Sequence, residues 1–130
     1  MEKEFNVFHL EDNPVFISIM KTLLRKIDLN IKYEFVHTSD EAFNYLSKKI
    51  PDLMFVDLML EDEYNPEPGI KFIKEAYQLY NNLPMVVLTG NLDSGLKTTL
   101  HEFIVHYESK TFNPPIFKEK ICNLLTKISK

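Results

Sequence analysis

Leu53-Met54-Phe55-Val56 is an uninterrupted apolar run that ends on an acid, Asp57, with Pro51 and Asp52 before it. A strand with one face in water alternates apolar with polar residues. A run without alternation belongs to a strand covered on both faces, the situation of parallel sheets. The chain must therefore supply helices for both sides of a sheet. Asp57 then stands at the carboxyl end of a buried strand, where open α/β sheets bind their ligands, and it is the first candidate for a reacting atom.

The flanking segments alternate in the way this demands. Phe5 to Leu10 reads as a first strand, stopped by Glu11-Asp12-Asn13-Pro14, two acids joined to a helix-start signal. Val15, Ile19, Leu23 and Ile27, with Phe16, Met20 and Leu24, make a broad apolar face for the first helix. Ile31 to Val36 reads as the second strand. Thr38 with Glu41 forms a capping-box pattern for a helix to about Lys49. After the strand ending at Asp57, the stretch from Leu60 to Pro68 holds Glu61, Asp62, Glu63 and two prolines and reads as an exposed loop. Ile70, Ile73, Ala76, Tyr77 and Tyr80 lie at helical spacing, with Asn81-Asn82 as the stop. Pro84 to Leu88 is a fourth strand before Thr89-Gly90-Asn91. Asp93 or Ser94 caps a short helix to about Glu102, and Phe103 to Tyr107 is the fifth strand, ending near Lys110. Phe117, Ile121, Leu124, Leu125 and Ile128 form the apolar face of a last helix behind Asn113-Pro114-Pro115. Five strands alternating with five helices imply a parallel sheet covered on both sides, with its strand order left open by pattern alone.

The 130 residues suffice for one domain with its own core, and residues 1–130 are expected to form a single one. A net charge of −4 argues against a phosphate-backbone footprint, which requires clustered Lys and Arg where this chain scatters them, so no nucleic-acid contact is expected from this domain. One cysteine, Cys122, forms no internal disulfide, and with neither a leader nor a long apolar span the expected setting is cytoplasmic, away from membranes.

In a parallel sheet the carboxyl ends of the strands share one edge. Glu11, Asp12, Asp57, Thr89 and Lys110 should therefore converge although they are far apart in sequence. Clustered carboxylates repel one another, and a hard divalent cation relieves that repulsion; Mg²⁺, which keeps sites for water and phosphate, fits best. An aspartate beside such an ion is a competent nucleophile toward phosphorus, with Thr89 as a hydrogen-bond donor and Lys110 as a point charge.

Glu11-Asp12, Asp57 within FVDLML, Thr89 within VVLTGN and Lys110 within YESKTF resemble the receiver domains of two-component response regulators, over nearly the whole chain. The resemblance implies a flavodoxin-like (βα)5 three-layer sandwich with strand order 2-1-3-4-5. It implies that Glu11, Asp12, Asp57 and the backbone carbonyl of Met59 hold Mg²⁺. Asp57 would accept a phosphoryl group from a sensor histidine kinase or a phosphotransfer protein. Thr89 and Lys110 would contact the phosphoryl oxygens, and Tyr107 would be the switch aromatic. Output would pass to a downstream protein through the face of the fourth helix, fifth strand and fifth helix, or to an output domain outside this chain. The protein would be a signalling phosphoacceptor and not an enzyme acting on external substrates.

The chain departs from the family pattern at four places. Glu61 stands where a proline is usual four residues after the acceptor, and Gly69 comes about four residues late. Phe103-Ile104 replaces Gly-Ala, and Thr111 replaces the proline after the lysine. Like charge at Glu61, Asp62 and Glu63 is expected to disfavour anionic small phosphodonors. Met59 and Asn91 are expected to flank the path of an attacking water and to set the phosphate lifetime. Two other readings remain: a pseudo-receiver that binds partners without phosphorylation, and a haloacid-dehalogenase-type phosphatase. The latter ordinarily carries a second aspartate where this chain has Met59. A flavin protein of related topology would need a phosphate-binding loop where this chain has Glu11-Asp12.

Overall fold

The computed structural model describes residues 3–59, 65–80, 82–90 and 94–128. Its strands are β1 (Glu4–Leu10), β2 (Asn30–Val36), β3 (Leu53–Asp57), β4 (Met85–Thr89) and β5 (His106–Ser109). Its helices are α1 (Pro14–Arg25), α2 (Ser39–Leu46), α3 (Glu67–Leu79), α4 (Ser94–Leu100) and α5 (Pro114–Ile128). All neighbouring strands are parallel, in the order β2-β1-β3-β4-β5, the flavodoxin-like arrangement. The reversal of direction in that order falls between β1 and β3, where Glu11 and Asp57 lie side by side.

The period-two geometry of strands sorts the core into two layers. Phe8, Leu10, Met54, Val56, Met85 and Val87 pack with α2 and α3 through Ala42, Leu46, Phe72, Ile73 and Ala76. The intervening Phe5, Val7, Leu53, Phe55, Val86 and Leu88 pack with α1 and α5 through Phe16, Met20, Leu24, Phe117, Ile121 and Leu125. β3 and β4 are buried at every residue, which is why their sequences lack alternation.

Local chemistry sets the helix starts. The Asn13 side chain accepts from the amides of Val15 and Phe16, with Pro14 in the first turn, so Asn13 and not Asp12 caps α1. Asp12 is thereby left exposed beside the sheet edge. Thr38 and Glu41 form the reciprocal capping box of α2.

Three boundaries differ from the sequence reading. α3 begins at Glu67, so Glu67 and Pro68, read as the end of a loop, form its first turn, where proline is tolerated. α2 stops at Leu46, and the amides of Lys48 and Lys49 both close onto the Tyr45 carbonyl as a final turn. The fifth strand begins at His106, not Phe103. Phe103 donates its amide to Leu100 in a turn, while its ring and Ile104 pack sideways onto the core, so an apolar run that resembles strand is turn packing. The helix stop at Asn81, the cap at Asp93 and the acidic stretch Glu61, Asp62 and Glu63 lie outside the described residues, as does Asn91.

Candidate functional site

Glu11 is the first residue beyond β1, and its amide donates to the Val36 carbonyl of β2 at 3.0 Å. Its own carbonyl accepts from the His37 ring at 3.1 Å. The Glu11 carboxylate is thus carried into the sheet edge, fully buried, where one oxygen accepts from the Asn13 amide at 3.2 Å. Asp57, the last residue of β3, is also buried, and its Oδ1 accepts from the Met59 amide at 3.1 Å. Glu11, Asp12 and Asp57 each offer an oxygen, and these oxygens lie within 4.8 Å of one another.

Lys110 follows β5 directly. Its backbone amide donates to the Thr89 carbonyl at 2.8 Å, so the β4–β5 register aims its side chain. The ammonium lies 2.7 Å from Glu11 Oε1 and 3.3 Å from Asp57 Oδ2, and 4.7 Å from the centre of the Phe16 ring. Thr89 ends β4, fully buried. Tyr107 pairs with Val87 on the adjacent strand, placing it one diagonal step from Thr89, and it packs in the α2/α3 layer.

Charge explains the state of these groups. Burial pushes the Glu11 carboxyl up to about 7, and the neighbouring Asp57 charge adds to the rise against the opposing pull of Lys110. Burial pulls His9 down to about 3, assisted by the Lys110 charge, so its ring is neutral. One ammonium against two buried carboxylates and the nearby Asp12 leaves an excess of negative charge in a site made wholly of oxygen donors. A hard divalent cation completes such a set, and the donor chemistry fits Mg²⁺.

Gly69 of α3 sits against the strand end. A Cβ built there would lie 2.1 Å from the Leu58 carbonyl oxygen, so only glycine lets the helix approach the residue between Asp57 and Met59 this closely. After Lys110, the Thr111 amide donates to Ser109 Oγ at 3.1 Å and the two hydroxyls are 2.7 Å apart, a closure that proline could not make. There are no cis peptide bonds among the described residues.

All five residues that sequence position assigns to the sheet edge are at that edge, and four of them, Glu11, Asp12, Asp57 and Lys110, are joined by short side-chain distances. The Phe16 ring beneath Lys110 and the approach of His9 to Glu11 were not read from the sequence. A signal for His9 existed: it lies on β1 two residues before Glu11, which extends the same alternation just past the strand end.

The sequence profile described as "Response regulator receiver domain" matches residues 7–121. No curated protein matches at the sequence level. Among solved structures, the fold is similar to a putative response regulator from Chloroflexus aurantiacus, with TM-score 0.79, 22% identity, and 95% of this chain and 99% of that one covered. A response regulator from Thermotoga maritima gives TM-score 0.82 at 20% identity, with the same coverage. The Mn²⁺-bound form of response regulator Rcp1 gives TM-score 0.73 at 17% identity, covering 92% of this chain and 91% of that one.

Proposed function

The chain belongs to the response regulator receiver domain family, matched over residues 7–121, and from that premise we propose that it is a phosphoacceptor switch with Asp57 as the acceptor. A carboxylate oxygen of Asp57 attacks phosphorus, the phosphorus–nitrogen bond to the donor phosphohistidine breaks, and the donor imidazole leaves with that electron pair. The donor is a sensor histidine kinase or a phosphotransfer protein. Glu11, Asp12, Asp57 and the Met59 carbonyl would hold Mg²⁺, which when bound neutralises charge on the phosphoryl oxygens. Lys110 contributes a second positive charge to those oxygens and Thr89 a hydroxyl donor.

The observation that carries this reading is the buried Asp57–Lys110–Glu11 contact at 3.3 and 2.7 Å, with Asp12 beside it, at the carboxyl edge of a parallel sheet. Phosphorylation places a doubly negative group at Asp57, draws Thr89 and Lys110 toward it and biases a two-state equilibrium through Tyr107. The output surface is α4, β5 and α5, offered to a protein partner or to an output domain. Residues 1–130 act as one receiver unit in the cytoplasm. Among the described residues no helix is long and apolar enough to cross a membrane.

Turnover of an external phosphoester is disfavoured by Met59, which offers no acid or base two residues after the nucleophile. The test is intact mass after incubation with phosphoramidate or acetyl phosphate. A gain of about 80 Da that requires both Mg²⁺ and Asp57 supports the switch. Persistent absence of gain with a phosphohistidine protein as donor, together with no Mg²⁺ binding, favours the pseudo-receiver.

A further inference from the structure

His9 lies on β1 with its ring completely buried. Phe16 and Phe55 meet it edge-on, with centroids at 6.0 and 5.7 Å. Nδ1 is 2.6 Å from the Tyr33 hydroxyl. Nε2 has no hydrogen-bond partner among the described residues and stands 3.8 Å from Glu11 Oε1. A buried polar atom left in this way calls for a reason, because an apolar side chain would fill the same space without the desolvation cost.

The position of the ring proton follows from its neighbours. Were Nδ1–H to donate to Tyr33, the Nε2 lone pair would face a carboxylate in a dry interior. With the Tyr33 hydroxyl donating to Nδ1, an Nε2–H faces Glu11 instead. The second arrangement sets donor against acceptor, and the hydrogen-bond network assigns the proton to Nε2 on that ground.

Glu11 Oε1 has one close cationic neighbour, the Lys110 ammonium at 2.7 Å, which also lies 3.3 Å from Asp57. When Lys110 turns to a phosphoryl group on Asp57, Glu11 Oε1 loses that N–H donor while remaining buried. The Nε2–H would then need to close by about 0.8 Å to reach ordinary N–H···O distance. We propose that His9 is a positioning residue for the switch: a reserve donor that takes over Glu11 Oε1 as Lys110 leaves it. The proposal rests on the phosphoacceptor reading above. It involves no proton transfer, only the exchange of one donor for another.

This accounts for both ring nitrogens. The Tyr33 hydroxyl satisfies Nδ1 from the β2 side, Glu11 selects the tautomer, and Nε2 waits within reach of the oxygen that Lys110 vacates. A histidine satisfied by Tyr33 alone would have no reason to direct its other nitrogen at the acidic cluster.

The test is imidazole ¹H–¹⁵N correlation on the native chain, before and after Mg²⁺ with beryllofluoride as the phosphoryl mimic. Nε2 is expected to carry the proton in both states, and its proton signal to move downfield when the mimic binds. Tyr33→Phe is expected to leave the proton on Nε2, because Glu11 still faces that nitrogen; a proton found on Nδ1 would overturn the assignment. His9→Leu is expected to weaken mimic binding about tenfold, the low end for a hydrogen bond to a charged group. The same variant should change Mg²⁺ affinity without the mimic less than about twofold, because Lys110 still holds Glu11 in that state. A merely structural role would shift both affinities together. An Nε2 signal that stays fixed while the Asp57 and Thr89 amide signals move overturns the handover and leaves the phosphoacceptor reading standing. If those amides do not respond to the mimic either, the phosphoacceptor reading falls and the handover with it.

Discussion

Replacing Gly69 with alanine sets two effects of opposite sign against each other. Helix propensity alone favours alanine by up to about 1 kcal/mol. Against it stands a Cβ at 2.1 Å from the Leu58 oxygen, 2.8 Å from its carbonyl carbon and 3.0 Å from its Cα. Contacts below 3.0 Å essentially do not occur, so α3 and the end of β3 must part by about 0.9 Å. The obstacle is backbone and cannot rotate aside. Forcing such a separation in a packed core costs roughly 1–3 kcal/mol, so after the propensity gain a net loss of up to about 2 kcal/mol is expected. Leu58 joins Asp57 to Met59, so the same displacement should loosen the metal site and weaken Mg²⁺ binding about tenfold. Urea unfolding in chelator reads the first effect, and calorimetric Mg²⁺ titration the second. A raised urea midpoint with unchanged Mg²⁺ affinity would refute the close-approach argument.

The pH dependence of the metal-free protein carries two opposed signatures. Glu11, raised from 4.5 to about 7, makes the native state bind a proton that the unfolded chain lacks, so its contribution is full below 4.5 and lost as pH rises through 7. At about 1.4 kcal/mol per pH unit this amounts to about 3 kcal/mol. His9, lowered from 6.5 to about 3, contributes stability that is full above 6.5 and lost as pH falls through 3. Urea midpoints across that range should show Glu11→Gln abolishing the loss toward neutrality and His9→Leu removing the loss on the acid side. Lys110→Ala should destabilise the metal-free chain at pH 7 by about 3 kcal/mol, since it leaves Glu11 and Asp57 unpaired, yet tighten Mg²⁺ binding because the ammonium no longer competes; calorimetry checks the second and urea unfolding the first. Replacing Met59 with a polar side chain should alter the half-life of the phosphorylated protein, measured as phosphate release, and an unchanged half-life would remove Met59 from the water path.

The edge of the sheet was legible because strand ends in a parallel sheet converge whatever lies between them. Asp57 and Thr89 follow continuous apolar runs, and Glu11 and Asp12 follow a run that stops abruptly at a helix start. The strand order was not legible from pattern, since nothing in an apolar run names its neighbour; it came from resemblance and agrees with the observed order. Phe103-Ile104-Val105 misled because a turn can also rest apolar side chains against a core: Phe103 and Ile104 are half-buried in this way, while Val105 is 50% exposed. The cap at Asn13 could be read only as a cluster of candidates, and its choice over Asp12 decides which acid remains available at the edge. The distances from Lys110 to Glu11 and Asp57 depend on the β4–β5 register, which no local pattern encodes.

The most direct test of the account is the position of the phosphoryl group itself. Reducing the phosphodonor-treated protein with borohydride converts an acyl phosphate on aspartate to homoserine, which peptide mapping locates. Conversion at Asp57 alone, dependent on both Mg²⁺ and donor, is the predicted result. Phosphate recovered on another residue, with Asp57 unmodified, would contradict the account.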